Sequence, residues 1–78
     1  MVSAESVKAG IAAGLACEHL EVEGDGQHFQ ALVVSAMFAG KSRVQRHQLV
    51  YAALGERMRE EIHALSMRTL TPEEWHSA

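Results

Sequence analysis

Histidine and cysteine are the side chains of this sequence best suited to bind a metal or to react, and they are scattered along it. The five histidines include no pair one helical turn apart: His19, His28, His47, His63 and His76. Taken singly, each is more often structural or solvated than functional. The single cysteine, Cys17, excludes an internal disulfide and is predicted to be a small, partly buried apolar residue rather than a reactive thiol. One thiolate is also too few to hold an iron–sulfur cluster alone.

The sequence contains few motifs of catalysis or phosphate binding. There is no paired-carboxylate constellation, no glycine-rich phosphate loop and no nucleophile elbow, so we do not expect an enzyme. Lys41, Arg43 and Arg46 form a basic cluster that could contact phosphates. The net charge of −3 with neutral histidines argues against nucleic-acid binding by the whole surface, but not by a local patch.

The basic cluster lies at the entrance of the longest predicted helix, which spans residues 40–59. Ser42 is its expected N-cap, and Gln45 completes a capping box. Apolar residues and one histidine recur at three- and four-residue steps, so they share a face: Val44, His47, Val50, Tyr51, Leu54 and Met58. The position of His47 on this face predicts a core histidine with a hydrogen-bonded imidazole.

A β-hairpin is predicted before this helix. Residues 20–23 alternate apolar and charged, residues 28–34 form a more buried strand, and Asp25-Gly26 between them is a strong two-residue turn signal. A two-residue turn would place Glu23 opposite His28 and Val22 opposite Phe29. The apolar partners then share one side of the sheet.

The flanking elements complete an α-β-β-α-β order. Ser3 or Ser6 is expected to cap a first helix that ends near Ala16. Residues 62–69 resume strand character and should run parallel to the second strand, because a helix connects them. Thr71, followed by proline at the first helical position and by Glu74, predicts a short last helix.

Together these elements predict one α+β domain over residues 1–78, with a three-stranded mixed sheet and helices packed on one face. The 78 residues allow a thin core, and 47% are hydrophobic but only 5% aromatic, so that core should be aliphatic. The apolar run at residues 7–17 is short and interrupted by Lys8 and two glycines. We therefore expect a cytoplasmic protein without a membrane segment.

Four segments resemble the BolA family: residues 38–47, 49–51, 62–66 and 71–75. The resemblance runs from about Val22 to Trp75, and residues 24–30 are similar to the shorter IbaG-type branch. The family fold is αββαβ, related to the class II KH domain. It agrees with the element order predicted from periodicity.

The resemblance implies a partnership with monothiol glutaredoxins that carry a Cys-Gly-Phe-Ser motif, in which a [2Fe-2S] cluster is bridged between the two proteins. The glutaredoxin cysteine and a glutathione thiol supply two ligands, and the BolA-like protein supplies His63, at the start of the last strand. Its second ligand comes from the loop between the first two strands. A chain with one cysteine fits such a shared site, and alone it should be colourless and a monomer or weak dimer.

The second ligand is open, because the loop here has shrunk to residues 24–26 and contains neither histidine nor cysteine. His28 and Asp25 are the candidates. Imidazole suits a cluster iron better than a hard carboxylate oxygen, which favours His28, whereas the loop position favours Asp25. Parallel strands also leave open whether His28 and His63 lie at the same end of the sheet.

The resemblance implies a second activity, DNA binding as a transcriptional regulator through the KH-like helix-turn-helix region. Lys41, Arg43 and Arg46 would contact phosphates. The alternative for this cluster is a basic flank that pairs with carboxylates of glutaredoxin or glutathione. Residues 40–43 lack the second glycine of an RNA-type Gly-X-X-Gly loop, and the chain is acidic, so the iron–sulfur role ranks first.

Overall fold

The computed structural model describes residues 3–61 and 64–77, with side chains described for all of these except 56–61. Three helices, a short 3-10 helix and three strands follow one another: α1 (Ala4–Gly14), β1 (His19–Gly24), β2 (His28–Val34), the 3-10 helix (Ala36–Phe38), α2 (Arg43–Glu61), β3 (Ala64–Leu70) and α3 (Pro72–Ser77). The sheet has the order β1-β2-β3, with β1 antiparallel and β3 parallel to β2. The predicted α+β fold and mixed sheet are confirmed.

The helices cover one face of the sheet. Alternate residues of the central strand β2, namely Phe29, Ala31 and Val33, are buried, whereas His28 and Gln30 at the alternating positions are exposed. The buried set joins one hydrophobic cluster with residues from α1, α2 and the 3-10 helix: Val7, Ile11, Leu15, Phe38, Val50 and Leu54. The period-two burial explains why the opposite face of the sheet can carry polar side chains.

Helix α1 begins with a capping box between Ser3 and Ser6. The backbone N–H of Ser3 donates to Ser6 Oγ at 2.9 Å, and that of Ser6 donates to Ser3 Oγ at 3.1 Å. The helix ends at Gly14, two residues before the predicted end. A Cβ atom at Gly14 would lie 2.7 Å from the Cα of Ala53, so the glycine lets α1 and α2 pack closely.

The entrance of α2 is capped as predicted. The backbone N–H of Ser42 donates to Gln45 Oε1 at 2.9 Å, and that of Gln45 donates to Ser42 Oγ at 3.2 Å. The predicted apolar face is wrong over the first turns, where Val44 is 65% exposed and His47, the predicted core histidine, is only half-buried. The inward position there is taken by Arg46, whose guanidinium lies 5.8 Å from the Phe38 ring centroid.

A second difference concerns the length of this helix. Gly55 has φ 82° and ψ 160°, which interrupts the helical geometry inside α2. An uninterrupted helix over residues 40–59 is therefore wrong. Glycine reaches this left-handed region without the steric cost that a Cβ would impose, so the break occurs where the sequence permits it.

The hairpin register also differs from the prediction. Val22 pairs with Ala31 and Gly24 with Phe29, so four residues, 25–28, separate the last paired positions of the two strands, rather than the predicted two. The cause is the Asp25 side chain, whose Oδ1 accepts the backbone N–H groups of Gln27 and His28 at 2.9 Å each. Because the register moves by two residues, every side chain keeps its predicted face.

Two further sets of hydrogen bonds stabilise the end of the sheet. The fully buried Ser35 donates its hydroxyl to the carbonyl of Ala16 at 2.7 Å and accepts the backbone N–H of Met37 at 3.1 Å. At α3, the predicted capping box is confirmed: Thr71 N–H donates to Glu74 Oε1 at 2.7 Å, and Glu74 N–H donates to Thr71 Oγ1 at 3.1 Å.

Within the described ranges, no helix combines the length and apolar character needed to cross a membrane.

Candidate functional site

The turn before β2 and the beginning of β3 meet at one corner of the sheet. His28 is paired with Ala64, and the backbone N–H of Ala64 donates to the carbonyl of Gln27 at 3.2 Å. Both parallel strands therefore begin at the same end. His63 directly precedes Ala64 in the chain and lies outside the described residues. We call residues 25–28 and Ala64 the strand-start corner.

His28 is the accessible imidazole of this corner. It is exposed and lies on the face of the sheet away from the helices. A shallow depression surrounds it, lined by Glu23, Gly24, Asp25, His28 and Gln30. Within the described part of the chain, no hydrogen bond engages the imidazole, so its ring nitrogens are accessible to an incoming group.

Asp25 is occupied by the turn itself. Its carboxylate accepts two backbone N–H groups, and these bonds, first from His28 and then from Gln27, lower the pKa of Asp25 below its ordinary value. Moving this side chain toward a metal would leave both N–H groups without their partner. Asp25 therefore forms the turn, and His28 is the more accessible of the two candidate metal ligands.

The basic cluster separates into two kinds of residue. Lys41 and Arg43 are exposed. Arg46, by contrast, is an internal clamp with a side chain only 14% exposed. Its Nε donates to the carbonyl of Lys41 at 3.0 Å, and its Nη1 donates to the carbonyl of Thr69 at 3.1 Å and to Glu74 Oε1 at 2.7 Å.

The clamp ties three elements together: the loop before α2, the end of β3 and the start of α3. The pKa of Glu74 is lowered, chiefly by the backbone N–H of Thr71 and next by the Arg46 guanidinium. Glu74 is therefore ionised at neutral pH and neutralises Arg46. The guanidinium is satisfied internally, which leaves Lys41 and Arg43 as the cluster's cations for an external partner.

Exposed apolar side chains lie close to these two cations in the sequence. Among the described residues, the exposed large hydrophobic side chains are Met37, 53% exposed, and Val44, 65% exposed. Met37 precedes Lys41 by four residues, and Val44 directly follows Arg43, the first residue of α2. Exposed apolar groups next to positive charge are typical of a protein-docking surface. We call Met37, Lys41, Arg43 and Val44 the helix-entrance patch.

A groove of about 500 Å³ runs between α2 and β3. Its lining brings together cationic side chains, strand residues and one acid: Arg43, Arg46, His47, Met67, Arg68, Thr69, Leu70 and Glu74. Arg68 was not among the residues predicted from the sequence. Its exposed position alternates with the half-buried Met67, and this period-two pattern in the predicted third strand could have indicated it.

The remaining candidate residues have structural contacts. His19 is bonded to Glu21 and stacks on Trp75 with ring centroids 4.9 Å apart, and His76 Nε2 lies 3.2 Å from Glu18 Oε2. Cys17 is half-buried, and its Sγ donates to the carbonyl of Leu15 at 3.3 Å. Burial raises the pKa of the thiol, which keeps it protonated, as expected for an apolar residue. Over residues 3–55 and 64–77, whose side chains are described, no three His, Cys, Asp or Glu residues form a ready metal site.

Comparison with known proteins places this geometry in a family. The family model described as "BolA-like protein" matches residues 4–74. Human "BolA-like protein 2" is 43% identical over 79 residues, covering 95% of this chain and 91% of that protein. The "Acid stress protein IbaG" of Escherichia coli strain K12 is 44% identical over 62 residues, covering 78% and 74% of the two chains.

Two further proteins bear on the fold and on function. A protein of Haemophilus influenzae named "DNA-binding transcriptional regulator BolA" is 44% identical over 57 residues, which cover 73% of this chain and 55% of that protein. The solved structure of a BolA protein homologue from Coxiella burnetii superposes with a TM-score of 0.85 at 44% identity, covering 97% of this chain and 99% of that one. Sequence and structure therefore lead to one family.

Proposed function

This chain belongs to the BolA-like protein family, and on that premise we propose that it pairs with a monothiol glutaredoxin to bridge a [2Fe-2S] cluster in iron–sulfur trafficking or iron regulation. In this role it is a binding protein and not an enzyme. The names of its relatives, a stress protein and a DNA-binding regulator among them, agree with a non-catalytic role.

One observation carries this proposal, the geometry of the strand-start corner. The register of β2 and β3 sets His28 beside Ala64, the residue that directly follows His63. Consecutive Cα atoms are about 3.8 Å apart, so ligands from positions 28 and 63 would come from adjacent chain segments. An exposed imidazole on an uncovered sheet face can meet a partner without unfolding the corner.

The donor set fits a shared cluster. His63 and His28 would hold the iron on this side, while the partner and glutathione supply thiolates that this chain lacks. When bound, a cluster with imidazole ligands has a higher reduction potential than an all-thiolate one, and protonation of the imidazole favours its release. The turn-bound Asp25 stiffens the segment that presents His28, which lowers the entropic cost of ligation.

The helix-entrance patch supports the choice of a protein partner. Lys41 and Arg43 offer charge for steering an acidic partner, and Met37 and Val44 offer apolar area that a protein interface would cover. A duplex backbone would use the two cations but would leave the two apolar side chains in water.

The test is anaerobic co-reconstitution of the chain with a monothiol glutaredoxin, glutathione, iron and inorganic sulfide, followed by visible absorption and circular dichroism. The chain alone should stay colourless at stoichiometric iron, and the mixture should develop a spectrum different from that of glutaredoxin alone. A stable iron–sulfur spectrum from the isolated chain would contradict the shared site. An unchanged glutaredoxin spectrum in the mixture would contradict the partnership.

DNA binding is the second candidate, favoured by the charge at the α2 entrance. The first turn of α2 contains no acidic residue, and it begins with the exposed Arg43. A cation there opposes the helix dipole, a cost that binding to an anion would offset. If Lys41 and Arg43 contact phosphates, replacing both with alanine should lower the slope of log affinity against log salt by about 0.9 for each lost contact. An unchanged slope would mean that these residues do not bind DNA.

A further inference from the structure

Strand β3 has a free outer edge. It follows β2 in the strand order and has no neighbour on its other side among the described residues. The N–H of Ala64 and the carbonyl of Leu70 bond toward Gln27 and Ser35, on the β2 side. Backbone groups of alternate residues point to opposite edges. Those of Leu65, Met67 and Thr69 therefore point outward.

One outward group is already occupied. The carbonyl of Thr69 accepts Nη1 of Arg46 at 3.1 Å. For Met67, no hydrogen bond from the described residues reaches the outward N–H or carbonyl, and the same holds for the N–H of Thr69. This part of the edge forms a wall of the groove between α2 and β3. These backbone N–H and carbonyl groups, which have no partner among the described residues, therefore face an open cleft.

The cleft is positively charged, although the chain as a whole is acidic. Arg43 and Arg68, both exposed residues, line it together with His47. The acid in the lining, Glu74, is paired with Arg46. Neither arginine has an ion pair with a described residue, so the two leave a net positive field along the edge, in a protein of net charge −3.

We propose that the outer edge of β3 binds an extended acidic segment of a partner protein, which adds to the sheet as a fourth strand. Strand addition satisfies the outward backbone groups of Met67 and Thr69, and the charge of the groove selects acidic side chains. A peptide fits better than single-stranded nucleic acid because the described lining contains no phenylalanine, tyrosine or tryptophan on which successive bases could stack. This site uses neither His28 nor His63, so it stands apart from the proposed cluster ligation.

The geometry also defines the pattern of the segment. Successive side chains of an added strand point to opposite faces of the sheet. One set would lie on the face that carries Arg68 and Ser66, and the other would lie toward Arg43 on α2. Acidic residues at consecutive positions would therefore both find an arginine.

The probe is a capped heptapeptide of the sequence valine–glutamate–glutamate–valine–glutamate–glutamate–valine, titrated into the full chain labelled with ¹⁵N. We expect slowed hydrogen exchange at the amides of Met67 and Thr69. The substitution Arg68→Glu should weaken binding about tenfold or more, because it exchanges attraction for repulsion, and Arg68→Gln should weaken it less. Lys8→Glu, at an exposed position of α1, is the matched control and should change affinity little.

Two N-methylated forms of the peptide test the strand pairing itself. Methylation of alternate amides that face the edge should abolish binding, whereas methylation of the other set should leave it intact. Equal binding by both forms would overturn the proposal, because charge alone would then explain the affinity. Failure of the peptide to bind at millimolar concentration would also overturn it. So would protection of the same amides by a single-stranded oligonucleotide but not by the peptide, or by dimerisation of the free chain.

Discussion

At the scale of single residues, Arg43 and Arg46 show how similar side chains three positions apart take different roles. Arg43 is exposed, whereas Arg46 bonds two carbonyls and one carboxylate. The sequence places both in one basic cluster and contains no signal that separates them. The distinction comes from the rotation of α2 on the sheet, which turns position 46 inward over Phe38.

This difference predicts unequal effects of the same substitution. Arg46→Gln should lower the free energy of unfolding by roughly 2 kcal/mol, since hydrogen bonds to a charged group are lost and the two carbonyls lose their donor. Arg43→Gln should change it by less than about 0.5 kcal/mol, as for other exposed positions. Urea denaturation followed by circular dichroism measures both. Equal effects of the two substitutions would contradict the clamp.

The two candidates for the second ligand also differ at this scale. Residue chemistry alone favours His28 over Asp25, and the structure adds that the Asp25 carboxylate is bound by two backbone N–H groups. These bonds depend on the four-residue turn, which the Asp25-Gly26 pair does not reveal. The identity of the second ligand remains a prediction. The physical reason to prefer His28 is that its imidazole is accessible, whereas the Asp25 carboxylate is bound within the turn.

At the scale of elements, the predictions that rest on local chemistry are confirmed. The capping boxes at Ser42 and Thr71 form between side chains and backbone groups three residues apart, so the sequence contains all their partners. The hairpin register and the break at Gly55 depend on groups whose conformations the sequence leaves open. A two-residue and a four-residue turn preserve the same apolar faces, so hydrophobic alternation cannot distinguish them.

The contact between α1 and α2 gives a prediction for Gly14. Alanine normally stabilises a helix interior relative to glycine by up to about 1 kcal/mol. Here the new Cβ would lie 2.7 Å from the Cα of Ala53, and the backbone would have to move. We expect Gly14→Ala to destabilise the protein by roughly 1–3 kcal/mol.

Thermal and urea unfolding of this variant, beside the exposed control Ala13→Gly, separates packing from helix propensity. The control removes a methyl group near the same helix end and should cost no more than about 1 kcal/mol. A Gly14→Ala protein more stable than the wild type would show that the helices are not in close contact at this point.

At the scale of the whole molecule, the acidic net charge and the local basic groove describe different properties. The net charge of −3 follows from composition, whereas the groove depends on α2 and β3 bringing Arg43 and Arg68 to one cleft. Element order, strand polarity and the covered face of the sheet were predictable, since periodicity and connection rules determine them. The cleft was not predictable, because it arises between elements.

Acid should weaken the whole fold through its two carboxylates of lowered pKa. Asp25 and Glu74 have ordinary values of 3.8 and 4.5, and both are lowered in the folded protein. Their stabilisation is therefore present above those values and is lost as the pH falls through the folded pKa values. The free energy of unfolding should decrease as the pH is lowered below about 4.5.

Urea titrations between pH 3 and 6 test this linkage with Glu74→Gln, which keeps an acceptor oxygen but cannot ionise. Its stability should depend less on pH than that of the wild type over this range. Glu73→Gln, an exposed change on the same helix, serves as the control. An unaltered pH dependence in Glu74→Gln would mean that this carboxylate is not bound in the folded state.

The central claim is that the strand-start corner supplies the cluster ligands, and the most direct measurement is the circular dichroism of the reconstituted glutaredoxin complex for three variants. His63→Ala and His28→Ala should abolish or reshape the bridged-cluster spectrum while the apo complex still forms. Asp25→Asn, which keeps the oxygen that accepts the two N–H groups, should leave the spectrum unchanged. If His28→Ala gives the wild-type spectrum and Asp25→Asn alters it, the proposed assignment of His28 as the second ligand is wrong.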